Sequence, residues 1–126
     1  MGLISGVLGT GSEVSIKVIS LEFQPILIDG EYVETAIKVL RDIFVFTNKR
    51  LIMVNKSGFS NSKVEYLTIP YSSIKKFSKE CKGVSNTVGD LKLWIIGEEK
   101  PLIKSFKRDM NINEVYLILS KYVLNC

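Results

Sequence analysis

Residues 41–52 read Arg41-Asp42-Ile43-Phe44-Val45-Phe46-Thr47-Asn48-Lys49-Arg50-Leu51-Ile52, and this block decides the fold. Residues 43–47 are apolar, β-branched and aromatic, and 51–54 repeat that character after only Asn48, Lys49 and Arg50. Two such runs around a short polar break form a tight hairpin, with Asn48 the residue best suited to a positive φ.

Upstream, 32–40 is a further strand that reverses at once into Arg41-Asp42. Downstream, strands are expected over 64–69 and 73–80, joined through Pro70-Tyr71, and over 91–96 and 102–107, joined through 98–100. Residues 57–62 and 83–89 are loops rich in Ser, Asn and Gly. Seven strands at a spacing of about ten residues mark an all-β barrel or sandwich. The last segment changes period. Val115, Ile118, Leu119 and Tyr122 fall at i, i+3, i+4, i+7, so a helix is expected over 111–124, capped by Asn111 with Glu114 or by Asn113. An amphipathic helix there plugs the open end of a strongly bent sheet. Trp94, late in the sheet, is placed to pack on that helix or on a neighbouring subunit.

The N-terminal stretch is different. Leu3, Ile4, Val7 and Leu8 have amphipathic helical spacing in a segment too short to be stable alone. Residues 13–27 combine a helical stripe, Ile16, Ile19 and Phe23, with the strand-like alternation of Val14, Ile16 and Val18. Pro25 favours a helix that begins after Ser12 and ends at Gln24–Pro25. The organisation is one domain, with 1–28 a helical segment of the same domain as the β-rich 29–126.

Composition narrows the function. The 126 residues are 46% hydrophobic, with a mean hydropathy of +0.20, an apolar surplus that hints at surface buried between subunits. The net charge of +4 favours anionic partners, yet the Lys and Arg residues are scattered and no run resembles a nucleic-acid arm. Cys81 and Cys126 have no metal or redox spacing, and Cys81 reads as a partly buried structural residue. The N-terminus lacks the charged flank of a signal peptide, and Gly6 stands where a myristoylation motif needs Ser or Thr. A cytoplasmic protein is the expectation.

Nothing in the chain is arranged for catalysis. Histidine is absent, which removes the commonest general base near neutral pH and a usual zinc ligand. Phosphate-loop and dinucleotide glycine patterns are missing as well, so no enzyme activity, cofactor or metal is expected. The densest polar cluster is Arg41, Asp42, Asn48, Lys49 and Arg50 at the strand ends. It is either an anion or partner surface, or a solvated hairpin tip with an Arg41–Asp42 pair that fixes a turn. The 2–9 segment, through Leu3, Ile4, Val7 and Leu8, is the candidate oligomer contact.

The stretch from about 29 to 122 resembles the bacterial pleckstrin-homology domains, a family formerly called a domain of unknown function. The residues that carry the resemblance are Asp29-Gly30-Glu31, the 41–52 block, Ile69-Pro70-Tyr71-Ser72-Ser73-Ile74, Phe77-Ser78-Lys79-Glu80 and the 97–106 region. The resemblance implies a PH-like seven-stranded bent antiparallel barrel with a capping C-terminal helix, and homo-oligomers closed into rings of five. It implies no particular ligand. Relatives carry an acid in the loop after the fifth strand, where this chain has Ser85, Asn86 and Thr87. The expected function is a non-catalytic, self-assembling protein–protein interaction or scaffold module with an unidentified protein partner. The alternative is a peripheral membrane or anionic-lipid binding domain.

Overall fold

The computed structural model describes residues 15–81, 89–107 and 112–125. Helix α1 (Ile16–Phe23) is followed by a 3-10 turn (Gln24–Ile26). Strands β1 (Val33–Val39), β2 (Asp42–Thr47), β3 (Arg50–Ser57) and β4 (Lys63–Pro70) come next, with a 3-10 turn at Phe59–Asn61 between the last two. A further 3-10 turn (Tyr71–Ser73) leads into β5 (Ile74–Cys81), β6 (Gly89–Ile95), β7 (Leu102–Phe106) and α2 (Ile112–Leu124). All seven expected strands are present. They form two separate antiparallel sheets, β1-β2-β3-β4 and β5-β6-β7, in place of the expected closed barrel.

The contacts divide the chain into two compact units, 1–68 and 69–126. In the first, the register Ile37↔Phe44 and Ile43↔Val54 sets the two faces of the sheet. One face carries Val33, Ala36, Ile43, Val45, Ile52 and Val54, covered by Ile19 and Phe23 of α1 in one cluster. The other carries Ile37, Phe44, Phe46, Leu51 and Met53, each 1% exposed or less. A sheet buried on both faces needs continuous apolar runs, which is what the 41–52 block supplies. Burying Ile19 and Phe23 fully contributes about 1.5–3 kcal/mol each. The α1 cap is Ser15, whose Oγ accepts the Val18 N–H, three residues later than the expected Ser12.

In the second unit, Phe77 and Lys79 stand opposite Leu93 and Leu91 and share their face. The Phe77 ring lies 5.2 Å from that of Tyr116, and Lys79 donates to Asn113, so α2 lies along this face. Ile112, Val115 and Leu119 form its buried stripe, and Tyr122 stacks on Tyr71 at 4.6 Å. The helix covers the three-stranded sheet; it does not plug a barrel mouth. Gly89 is required at the start of β6, because a Cβ there would come within 1.9 Å of the Glu80 carbonyl oxygen. Lys75 and Lys76 are both exposed, and the Lys76 ammonium sits 4.8 Å from the Trp94 ring centre. Cys81 is exposed, not partly buried, since it lies at the end of an edge strand.

Candidate functional site: a clamped apolar corner

The polar block of the sequence separates into two groups. Arg41 and Asp42 sit at the β1–β2 turn, whereas Asn48, Lys49 and Arg50 sit at the β2–β3 turn. They lie at opposite ends of β2, a strand of six residues and hence about 20 Å long. They therefore form two separate polar groups and not one cluster.

At the β2–β3 turn most of the polar groups are engaged inward. Glu31, whose side chain is fully buried, accepts hydrogen bonds from Arg50 Nε (2.8 Å) and Nη2 (3.0 Å), from the Thr47 hydroxyl (2.6 Å) and from the Ile28 N–H (3.1 Å). Arg50 also donates to the Thr68 hydroxyl at 3.0 Å and to the Ile26 carbonyl at 2.7 Å. The Thr47 hydroxyl oxygen accepts the N–H groups of Lys49 and Arg50 and closes the turn. Asn48 does not adopt a positive φ. Its Oδ1 accepts the Tyr32 N–H (2.9 Å) and its Nδ2 donates to the Gly30 carbonyl (3.0 Å), so a side chain replaces the left-handed turn. Burial pushes the Glu31 carboxyl upward, but the hydrogen bonds from Arg50, Thr47 and Ile28, with the charge of Arg50, outweigh it and hold the group below its ordinary value.

The bonds of Glu31, Asn48 and Arg50 fix the segment 26–32 from three sides. Gly30 takes the positive φ of 81° that its turn demands, and the Glu31 N–H closes on the Ile28 carbonyl at 3.0 Å. Three large apolar side chains are thereby held outward: Ile26 (43% exposed), Ile28 (61%) and Tyr32 (56%). Lys49 is exposed beside them on the turn. The result is an apolar corner with a tyrosine, flanked by the exposed Lys49 and Asp29 and set on a rigid polar foundation. Asn48 and Arg50, candidates for the interaction surface from the sequence, are half-buried and bond inward to this segment. Sequence reasoning missed Ile26, Ile28 and Tyr32 altogether.

Arg41 and Asp42 do not form the isolated turn-fixing unit considered from the sequence. Arg41 Nη1 donates to Asn61 Oδ1 at 3.2 Å, and Asp42 Oδ1 accepts the Lys56 N–H at 2.7 Å. Lys56 is buried, and its Nζ has no hydrogen-bond partner. Burial, with the nearby charge of Lys38, lowers its pKa from the ordinary value against the opposing pull of Asp42 and Glu22. A shallow groove of ≈ 540 Å³ in the second unit is lined by Lys75, Lys76, Trp94, Glu98 and Glu99, and Lys76 already occupies one face of its aromatic ring. The oligomer contacts expected from Leu3, Ile4, Val7 and Leu8 lie outside the described residues, as do Ser85, Asn86 and Thr87. Among the described residues no group of three His, Cys, Asp or Glu side chains is placed to hold a metal ion. No described helix is long and apolar enough to cross a membrane.

The family model of the bacterial PH domain matches residues 2–123, nearly the whole chain. The chain belongs to the bacterial PH domain family. This PH domain is 44% identical over 121 residues to the uncharacterised protein YjqA of Bacillus subtilis (strain 168), covering 95% of this chain and 97% of that protein. It is similar to the crystal structure of a pleckstrin homology domain from Shewanella amazonensis SB2B, with a TM-score of 0.82, 39% identity, and coverage of 87% and 99% of the two chains. A DUF1696 family protein with a pleckstrin-homology domain from Shewanella loihica PV-4 gives a TM-score of 0.78 at 36% identity, covering 91% and 98%. These likenesses agree with the mainly β architecture of two antiparallel sheets and a C-terminal helix.

Proposed function

We propose that this PH domain is a non-catalytic interaction module that assembles into a closed homo-oligomeric ring and presents a docking surface for a protein partner. The observation that carries the reading is the corner of Ile26, Ile28 and Tyr32, held outward by the Glu31–Arg50 clamp. An exposed apolar group on a mobile loop loses entropy when it binds, and pre-organisation removes that cost. Tyrosine with flanking aliphatic groups is the composition of protein interface centres. Edge strands remain in both sheets, which gives a neighbouring subunit further main-chain surface to cover. A contact between two different surfaces of identical subunits either closes into a ring or runs on as a filament. The family resemblance supports five subunits, and the 2–9 segment and the Lys49–Arg50 turn are the proposed contact elements. Copies of that turn on a ring would form a repeated platform for the partner.

Light scattering coupled to size exclusion tests the assembly. The wild-type chain should give a mass several times 14.2 kDa at micromolar concentration. Tyr32→Glu, at an exposed position, should lower the mass while leaving the circular dichroism spectrum unchanged. A wild-type mass near 14.2 kDa excludes the ring.

A further inference from the structure

Trp94 is turned away from the core of its own unit. Leu93, the residue before it, stands opposite Phe77, whose ring meets Tyr116 of α2. Alternation along β6 therefore sends Trp94 to the other face of the sheet, opposite Lys76. Of the two surroundings that the sequence left open for this ring, the helix is excluded. The ring is half-buried, and the Lys76 ammonium lies 4.8 Å from its centre. Around it opens the groove of ≈ 540 Å³, whose charges are divided between its walls. Lys75 and Lys76 stand on β5, Glu98 and Glu99 on the β6–β7 turn, and all four are exposed. Ile103, opposite Lys92 in register, shares the outer face with Trp94 and is 52% exposed.

We infer that this groove is the seat of the clamped corner of a second copy of the chain. Tyr32 and Ile28 of one subunit meet Trp94 and Ile103 of the next, with Asp29 toward the Lys75–Lys76 wall and Lys49 toward Glu98 and Glu99. The inference rests on the ring proposed above and names its second surface. A head-to-tail contact requires two unlike surfaces, and the clamped corner supplies only one of them. A corner docked on another corner would be a two-fold contact and would stop at a dimer. The groove complements the corner in shape, because the corner projects large apolar side chains and the groove is concave around an aromatic ring. It also complements the corner in charge. The corner is flanked by one acid and one base, and the groove offers a basic wall and an acidic one. Both charges find a partner in one orientation, whereas the reversed orientation sets like against like. Aromatic anchors at the centre with charged groups at the rim are the arrangement in which few residues carry an interface.

The test is light scattering coupled to size exclusion at micromolar concentration, on single variants and on their mixture. Trp94→Ser alone should lose the assembly and run near 14.2 kDa, with its melt unchanged because the ring lies on the outer face. An equimolar mixture of Trp94→Ser with Tyr32→Glu should run near twice 14.2 kDa. The intact corner of the first variant then meets the intact groove of the second, and growth stops there. Glu98→Lys combined with Glu99→Lys, at exposed positions, should lose the assembly as well, and Lys49→Glu added to that pair should restore it. A wild-type oligomer whose mass survives Trp94→Ser or the Glu98, Glu99 reversal overturns the role of the groove while the ring stands. A mixture that stays near 14.2 kDa overturns it too, because the corner must then meet another surface. A wild-type mass near 14.2 kDa overturns the ring itself and this contact with it.

Discussion

Replacing Arg50 with Met isolates the clamp. The variant keeps the aliphatic stem of the arginine but deletes the two bonds to Glu31 and those to Thr68 and the Ile26 carbonyl. Glu31 remains fully buried with two donors, the Thr47 hydroxyl and the Ile28 N–H. Breaking a buried pair on one side costs about 3–5 kcal/mol, because the remaining charge is uncompensated. Total stability for a domain of this size is roughly 5–15 kcal/mol, so the variant should fold at neutral pH but melt about 10–20 °C lower. The pH dependence separates charge from packing. In the wild type the Glu31 pKa is held below 4.5, so its contribution is present above 4.5 and is lost as pH falls through the lowered value. In the variant the carboxyl lacks the bonds and charge of Arg50, so its pKa rises relative to the wild type, and the extra cost of keeping it ionised is lost as pH falls through that higher value. The stability gap between the two proteins should therefore narrow from pH 7 to pH 4. Thermal melts followed by circular dichroism at both pH values measure it. A loss below 1 kcal/mol at pH 7, or a gap equal at the two values, refutes the electrostatic account.

Two further outcomes follow from single buried groups. Lys56→Met replaces an ammonium that has no partner with an apolar side chain of similar length and should stabilise the protein at pH 7 by about 1 kcal/mol or more. The lowered Lys56 pKa makes wild-type stability rise with pH between that value and 10.5, and urea titrations should show the rise reduced in the variant. Leu119→Asp sets an unpaired charge on the buried face of α2 and should cost about 4 kcal/mol or more, read as loss of the cooperative melt; a shift of a degree or two would mean that face is not packed.

Local signals carried most of the fold. The runs 43–47 and 51–54 appear as β2 and β3 because their period, β-branching and short polar break all agree, and α2 because its stripe repeats without interruption. What the sequence did not disclose depends on residues far apart in the chain. Glu31 and Arg50 are 19 positions apart, and neither carries a local mark of burial. An arginine in a turn reads as solvated until its partner is located. The division into two sheets is of the same kind, since strand count follows from the runs but pairing between distant strands does not. Leu40 was invisible for another reason: leucine has no preference for a positive φ, and the tight reversal between β1 and β2 overrides its propensity.

The two ends of β2 spend polar side chains in opposite ways, and this argues that they serve different purposes. At the β2–β3 end, Glu31, Thr47, Asn48 and Arg50 turn inward, and their bonds keep Ile26, Ile28 and Tyr32 in one geometry. Such rigidity suits a partner of fixed shape, which rewards pre-organisation. At the β1–β2 end, one bond from Arg41 to Asn61 joins two short turns whose apolar groups face solvent. Tyr32→Glu should therefore lower the assembly mass at an unchanged melt, and a mass equal to that of the wild type refutes the role of the clamped corner.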